Sequence, residues 1–152
     1  MITDALGKKH GCLAAKVDGV ECDLSRVLDE NCSIEGIRSD SEEGLHILRH
    51  SAAHLLAQAV MELYPGALPT IGPAIDRGFY YDFAMEPIAE ADLKKIEKKM
   101  HELARKNFTV ERVELDQESL RDHFVDNPYK IEIIDDKLEA CLLYTSPSPR
   151  DS

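Results

Sequence analysis

The chain has 152 residues, with 18 basic against 29 acidic side chains, a net charge of −11, 43% hydrophobic residues and 31% charged residues. That length suits one domain, or one domain and part of another, and the apolar content excludes wholesale disorder. No run approaches the roughly 20 apolar residues of a membrane span, and the acidity argues against a general nucleic-acid coat while leaving room for a local basic patch.

In chain order, Ile2 to His10 reads as a helix closed by Gly11. Cys12 to Val17 and Val20 to Leu24 flank Asp18-Gly19, a strong hairpin signal, and Ser33 to Arg38 makes a third short strand. One helix, one hairpin and one strand are expected to be too little for a complete core, so this segment reads as a domain lacking its opening. Ser39, Asp40 and Ser41 before Glu42-Glu43 mark a helix start. The helix should run from Glu42 to Tyr64 and stop at Pro65-Gly66, with Leu45, Leu48, Ala52, Leu55, Leu56, Ala59 and Leu63 as its core face.

Thr70 to Ile75 and Gly78 to Phe83 form a second expected hairpin about Asp76-Arg77, and alternation puts Phe79 and Tyr81 on one side and Tyr80 on the other. Pro87 opens a helix over about Ala89 to Lys106, with Leu93, Ile96, Met100 and Leu103 inward. Lys94, Lys95, Lys98, Lys99, Arg105 and Lys106 make it locally basic against Asp92, Glu97 and Glu102. Such a run is a solvated face unless a phosphate backbone lies along it. Thr109 to Leu115 is expected as a strand, Gln117 to Phe124 as a short helix and Tyr129 to Ile134 as a last strand. The whole reads as α+β with an antiparallel sheet and a long helix.

Cys12, Cys22, Cys32 and Cys141 match neither a C-x-x-C pair nor a zinc-finger spacing. With no basic-then-apolar leader at the start, reduced thiols in a cytoplasmic protein are the expectation. From Cys141 to Asp151 the chain reads CLLYTSPSPRD, which equals the in-frame translation of a common transposon-end sequencing adapter. Residues 141–152 are therefore expected to be an artefact.

Chemistry concentrates on the long helix. His46, His50 and His54 fall at i, i+4 and i+8, along one side, near Ala53, Ala57 and Met61. No Asp, Glu, Lys or Arg occurs between Arg49 and Glu62. A helix without charge on either face is covered on both or lines a cleft. Two histidines can serve a reaction needing a proton acceptor near neutral pH. They do not by themselves make a zinc site, and no convincing third ligand accompanies them, so no metal is expected in this chain.

R-H-S-A-A-H-L-L at Arg49 to Leu56, I-G-P-A-I-D-R-G-F-Y-Y-D-F at Ile71 to Phe83 and E-K-K-M-H-E-L-A at Glu97 to Ala104 resemble the threonyl-tRNA synthetase family, in order and at its spacing. The resemblance implies a partial β-grasp, ubiquitin-like (TGS) domain over 1–40. It implies the incomplete α+β editing domain over 41–140, which clears serine wrongly joined to threonine tRNA. Position by position it implies catalytic roles for His50, His54 and Lys130 and a substrate-binding role for Tyr81. A later C-x-G-P-H-like segment, which the family implies for the same cleft, does not occur here. By resemblance, the full enzyme is a homodimer using threonine, ATP, Mg²⁺ and a catalytic zinc outside this fragment, with tRNA(Thr) as partner and no membrane. Two rival readings stay open: a free-standing editing hydrolase, and a non-catalytic tRNA-binding or regulatory module.

Overall fold

A computed structural model describes residues 1–7, 11–28, 31–109 and 113–139. The elements run α1 (Ile2–Leu6), β1 (Cys12–Val17), β2 (Val20–Cys22), β3 (Ile34–Arg38), α2 (Glu42–Leu63), β4 (Leu68–Pro69), β5 (Ala74–Ile75), β6 (Gly78–Phe79), β7 (Phe83–Ala84), α3 (Glu90–Lys106), α4 (Gln117–His123) and α5 (Pro128–Glu139). Mixed helices and small antiparallel sheets make this an α+β fold. Among the described residues no helix is long and apolar enough to cross a membrane. The chain divides into two compact units: residues 1–51 with 74–78, and 52–73 with those from 79 on.

In the first unit, Asp18 (φ 49°) and Gly19 (φ 82°) make the left-handed turn that joins β1 to β2. Asp18 also holds the next strand, donating its N–H to the Ser33 carbonyl at 2.9 Å and accepting the Ser33 N–H on its carboxylate at 2.8 Å. The sheet order is β2-β1-β3, antiparallel throughout, with an irregularity between Cys12 and Ala14. One face buries Ala15 and Val17 with Ile2, and Leu6, Cys22, Leu24, Leu28, Cys32 and Ile34 pack around them. The first helix is shorter than expected. It ends at Leu6 because Gly7 leaves the helical region at φ 86°, and residues 8–10 of the expected helix lie outside the described residues. Cys12, Cys22 and Cys32 are half-buried.

The start of α2 follows from Ser41. Its Oγ accepts the Gly44 N–H at 3.0 Å and donates to the Arg38 carbonyl at 2.7 Å, capping the first turn while anchoring it to the end of β3. Glu43 in that turn pairs with Lys16 of β1. The expected inward leucines are only partly so: Leu45 and Leu48 are 39% and 41% exposed. The buried apolar side chains are Ala53, Ala57, Ala59 and Val60. Burial thus takes small side chains on both sides of the uncharged run.

In the second unit, Ala59 and Val60 join Ala67, Ile96 and Leu103 in a core flanked by Leu55, Leu56, Leu63, Tyr64, Phe83, Met85 and Met100. Here α3 presents Ile96 and Leu103 inward, but Leu93, expected beside them, is 55% exposed. The Ala89 N–H donates to Asp92 at 3.2 Å, and Asn107, at φ 49° and ψ 49°, closes the helix. Lys99 on α3 reaches Glu62 at 2.8 Å.

The second hairpin is interrupted rather than continuous. The outer pairs are Leu68 with Ala84 and Pro69 with Phe83, continued by the Thr70 N–H donating to Asp82 and the Asp82 N–H to Ile71, each at 2.9 Å. Beyond Gly72-Pro73, β5 pairs with β6 across Asp76-Arg77. The strand expected over Thr109 to Leu115 is not formed at its described ends. Val113 and Leu115 are exposed and without regular structure, and residues 110–112 lie outside the described residues.

The strand expected at Tyr129 to Ile134 is instead helix α5. Its alternating Ile131 and Ile133 suit a strand, but Asn127 and Pro128 are a cap and a first helical residue. The Asn127 side-chain oxygen accepts the Lys130 N–H at 3.2 Å, and Ile134 becomes the buried position. Arg121 of α4 pairs with Asp135 of α5. Residues 140–152, including Cys141 and the adapter-like run, lie outside the described residues.

Candidate functional site

His50 and His54 lie in the uncharged run of α2, and His46 lies one turn before it. His46, in the helix's second turn, is exposed, whereas His50 and His54 are half-buried. One helical turn, about 6 Å of rise, separates the last two. Burial lowers the pKa of His50 below the ordinary 6.5, and the charge of His46 lowers it further. Its imidazole is therefore neutral at pH 7, with one ring nitrogen able to accept a proton. Arg49, the last charge before the run, lays its guanidinium 3.5 Å from the Ile75 carbonyl and ties that turn of α2 to β5.

Tyr81 and Lys130 are brought together by a second set of contacts. The Tyr81 ring stacks on Phe83 with centroids 4.9 Å apart and planes at 26°. Its other constraint is Gly72: a β-carbon there would stand 2.0 Å from Tyr81 Cδ2. Gly72 is thus the space the ring occupies. Tyr80, by contrast, is 48% exposed.

Lys130 is delivered by the first turn of α5. Asn127 Nδ2 donates to the Pro69 carbonyl at 2.9 Å while Oδ1 accepts from Lys130, so one side chain caps the helix and pins it to β4. The Lys130 ammonium then lies 6.0 Å from the centre of the Tyr81 ring, within range of a cation–π attraction.

The family resemblance named His50, His54, Tyr81 and Lys130 and did not point to Gly72 and Asn127, which position two of them. The Asn-Pro dipeptide was the available signal for the second. For Gly72 the only hint was Gly-Pro inside a strand-like run. Among the described residues no three His, Cys, Asp or Glu side chains are grouped to hold a metal ion. A neutral imidazole at His50 can accept a proton; a lysine ammonium beside an aromatic ring can hold or stabilise an anionic oxygen.

Comparison with known proteins gives these residues a context. The threonine–tRNA ligase of Thermoplasma acidophilum is 47% identical over 131 residues, covering 86% of this chain and 20% of the relative. That of Rubrobacter xylanophilus is 47% identical over 125 residues, 82% of this chain and 20% of its own. The Legionella pneumophila ligase is 46% identical over 143 residues, 91% of this chain and 22% of its own. The chain thus spans about a fifth of the length of the curated relatives it matches. No family model matches it. Identity at this level over most of the chain is common descent, and what it shares is the sequence of an aminoacyl-tRNA synthetase. Within that class the chain belongs to the threonine–tRNA ligase family.

Proposed function

We propose that this chain is the N-terminal part of a threonine–tRNA ligase, with residues 41–140 in the module that hydrolyses mischarged seryl-tRNA(Thr). In this reading residues 1–40 belong to a ubiquitin-like domain and residues 141–152 are adapter sequence. The observation that carries it is the pair of half-buried imidazoles on the uncharged run of α2, in a chain 47% identical to such ligases.

The need for editing is physical. A pocket that accepts threonine cannot easily exclude serine, because one missing methyl is worth only about 1–3 kcal/mol. Hydrolysis must then remove the wrong product. Water attacks the ester carbonyl as its proton passes to an imidazole of the His50–His54 pair, and the carbonyl becomes an oxyanion. Collapse of that adduct breaks the bond to the terminal ribose oxygen, which takes the proton back from the imidazolium and leaves with the tRNA. Serine departs as the free acid. The low pKa of His50 keeps it in the accepting form at neutral pH. The Lys130 ammonium stabilises the oxyanion or holds the terminal nucleotide, with the Tyr81 ring as the wall beside it.

Attachment of threonine using ATP, Mg²⁺ and a catalytic zinc belongs, on this reading, to the remainder of a cytoplasmic homodimeric enzyme. The test is deacylation of seryl-tRNA(Thr) by a full-length ligase carrying this segment, with and without the two histidines. A folded double variant that edits at the parental rate overturns the assignment.

A further inference from the structure

Helix α3 carries more cations than its carboxylates neutralise, and they are sorted by face. Lys95 is paired with Asp92 at 2.7 Å, Lys99 with Glu62 at 2.8 Å, and Lys106 lies 3.9 Å from Glu102. Lys94, Lys98 and Arg105 are exposed, and none makes an ion pair with another described residue. Together with exposed His101 they fall at i, i+4, i+7 and i+11. At about 100° per residue all four lie within an arc of about 60°, opposite buried Ile96 and Leu103.

We infer that this outward stripe of α3 is a docking surface for the phosphate backbone of tRNA. The inference rests on the proposed reading that the substrate is a tRNA ester, and it adds where the chain grips the nucleic acid. Lys94 and Arg105 are about 16 Å apart along the axis, with about 6 Å between the first two cations. A duplex carries one charge per roughly 1.7 Å of its length, so several phosphates face such a span. In a chain of net charge −11, steering a polyanion needs positive charge concentrated in one place, and this stripe supplies it. Glu90 and Glu97 border one flank, and Glu102 on the other is engaged by Lys99 and Lys106. The stripe holds no large apolar side chain, which a bilayer-binding helix requires, so RNA is favoured over an anionic membrane.

The experiment is a salt titration of binding between the 152-residue chain and labelled, uncharged tRNA(Thr), for the parent and for K94Q/K98Q/R105Q. Loss of three phosphate contacts should weaken binding roughly tenfold or more and reduce the slope of log Kobs against log salt by about 2–3. K94R/K98R should keep the parental slope, and K95Q/K106Q should change it little. An unchanged slope in the triple variant with parental circular dichroism overturns the inference. So does absence of tRNA binding by the parent at low salt, or binding to phosphatidylserine vesicles in its place. Because the tRNA carries no amino acid, failure here is separate from failure of the hydrolytic assignment, which is read from deacylation alone.

Discussion

The Lys130 ammonium lies 6.0 Å from the centre of the Tyr81 ring, although 49 positions separate the two in sequence. Neither residue achieves this by itself. Tyr81 is fixed between Phe83 and the space left by Gly72, and Lys130 is fixed by an asparagine that caps its helix and holds β4. A charged side chain beside an aromatic face, with both partners anchored through other residues, is a preorganised arrangement.

Asn127→Ala removes both anchors at once. A lost cap and a lost hydrogen bond to the Pro69 carbonyl should together cost about 1–3 kcal/mol. Urea denaturation followed by helical circular dichroism would read it. Asn127→Asp keeps the capping oxygen and loses the donor, so it should fall between the parent and Asn127→Ala. Equal midpoints for all three proteins would mean that Asn127 holds nothing.

Gly72→Ala places a methyl 2.0 Å from Tyr81 Cδ2. Ring or backbone must move, at about 1–3 kcal/mol for an overpacked contact. The Tyr81 ring proton resonances should shift more than those of exposed Tyr80. If Tyr81 holds the substrate, the KM for seryl-tRNA should rise in a full-length ligase bearing the change. In a Tyr81→Ala background the Gly72→Ala change should cost little, because the clash has no partner.

The proton equilibrium of His50 yields a pH signature. Its pKa is lower in the folded chain than the ordinary 6.5, first through burial and then through His46. The unfolded chain therefore binds more protons in the window just below that value, and stability must fall as pH drops through it. Above pH 6.5 this loss is absent. Denaturation midpoints at pH 7.5 and pH 5 should differ less in His50→Gln than in the parent. An identical difference in both proteins would remove His50 as the cause. On the proposed mechanism, the rate of seryl-tRNA hydrolysis should also fall on the acid side with a midpoint below 6.5.

Much of this was legible from local chemistry. Asp18-Gly19 announced a left-handed turn, and Ser41 announced the start of α2, because both signals act within three residues. The uncharged run from His50 to Met61 reads as a helix covered on both faces or lining a cleft, and burial within it falls at Ala53, Ala57 and Val60 on one side and at Ala59 on another. What failed depended on contacts distant in sequence. Leu45 and Leu48 follow the helical period, yet they remain substantially exposed, so period alone does not establish that an apolar stripe is covered. Ile131 and Ile133 alternate like a strand, but the helical cap at Asn127 and the burial of Ile134 decide the outcome. The histidine pair was visible as a spacing, whereas the setting of Tyr81 depended on Gly72 and that of Lys130 on Asn127. Neither support carries a chemical group that would mark it as functional.

The strongest prediction concerns the histidines themselves. His50 and His54 stand one turn apart on α2, so both can address one ester or the water attacking it. Replacing His50 with Ala in a full-length ligase should slow seryl-tRNA hydrolysis by about 10²–10⁴-fold, the range for loss of general-base catalysis. Both side chains are half-buried, so some stability is also at stake, and rate must be separated from folding. His50→Gln keeps much of the volume and a hydrogen-bonding end but cannot serve as the base near neutral pH. It should melt close to the parent and edit as poorly as His50→Ala. Threonine attachment should continue in both, since on the proposed reading that chemistry lies elsewhere in the enzyme. If the imidazoles only pack, the pattern reverses: His50→Ala melts at a lower temperature, His50→Gln is restored, and both edit at the parental rate while folded. Deacylation of purified seryl-tRNA(Thr), measured beside a thermal melt for each variant, separates the two patterns. A His50→Gln enzyme with a parental rate would end the catalytic assignment.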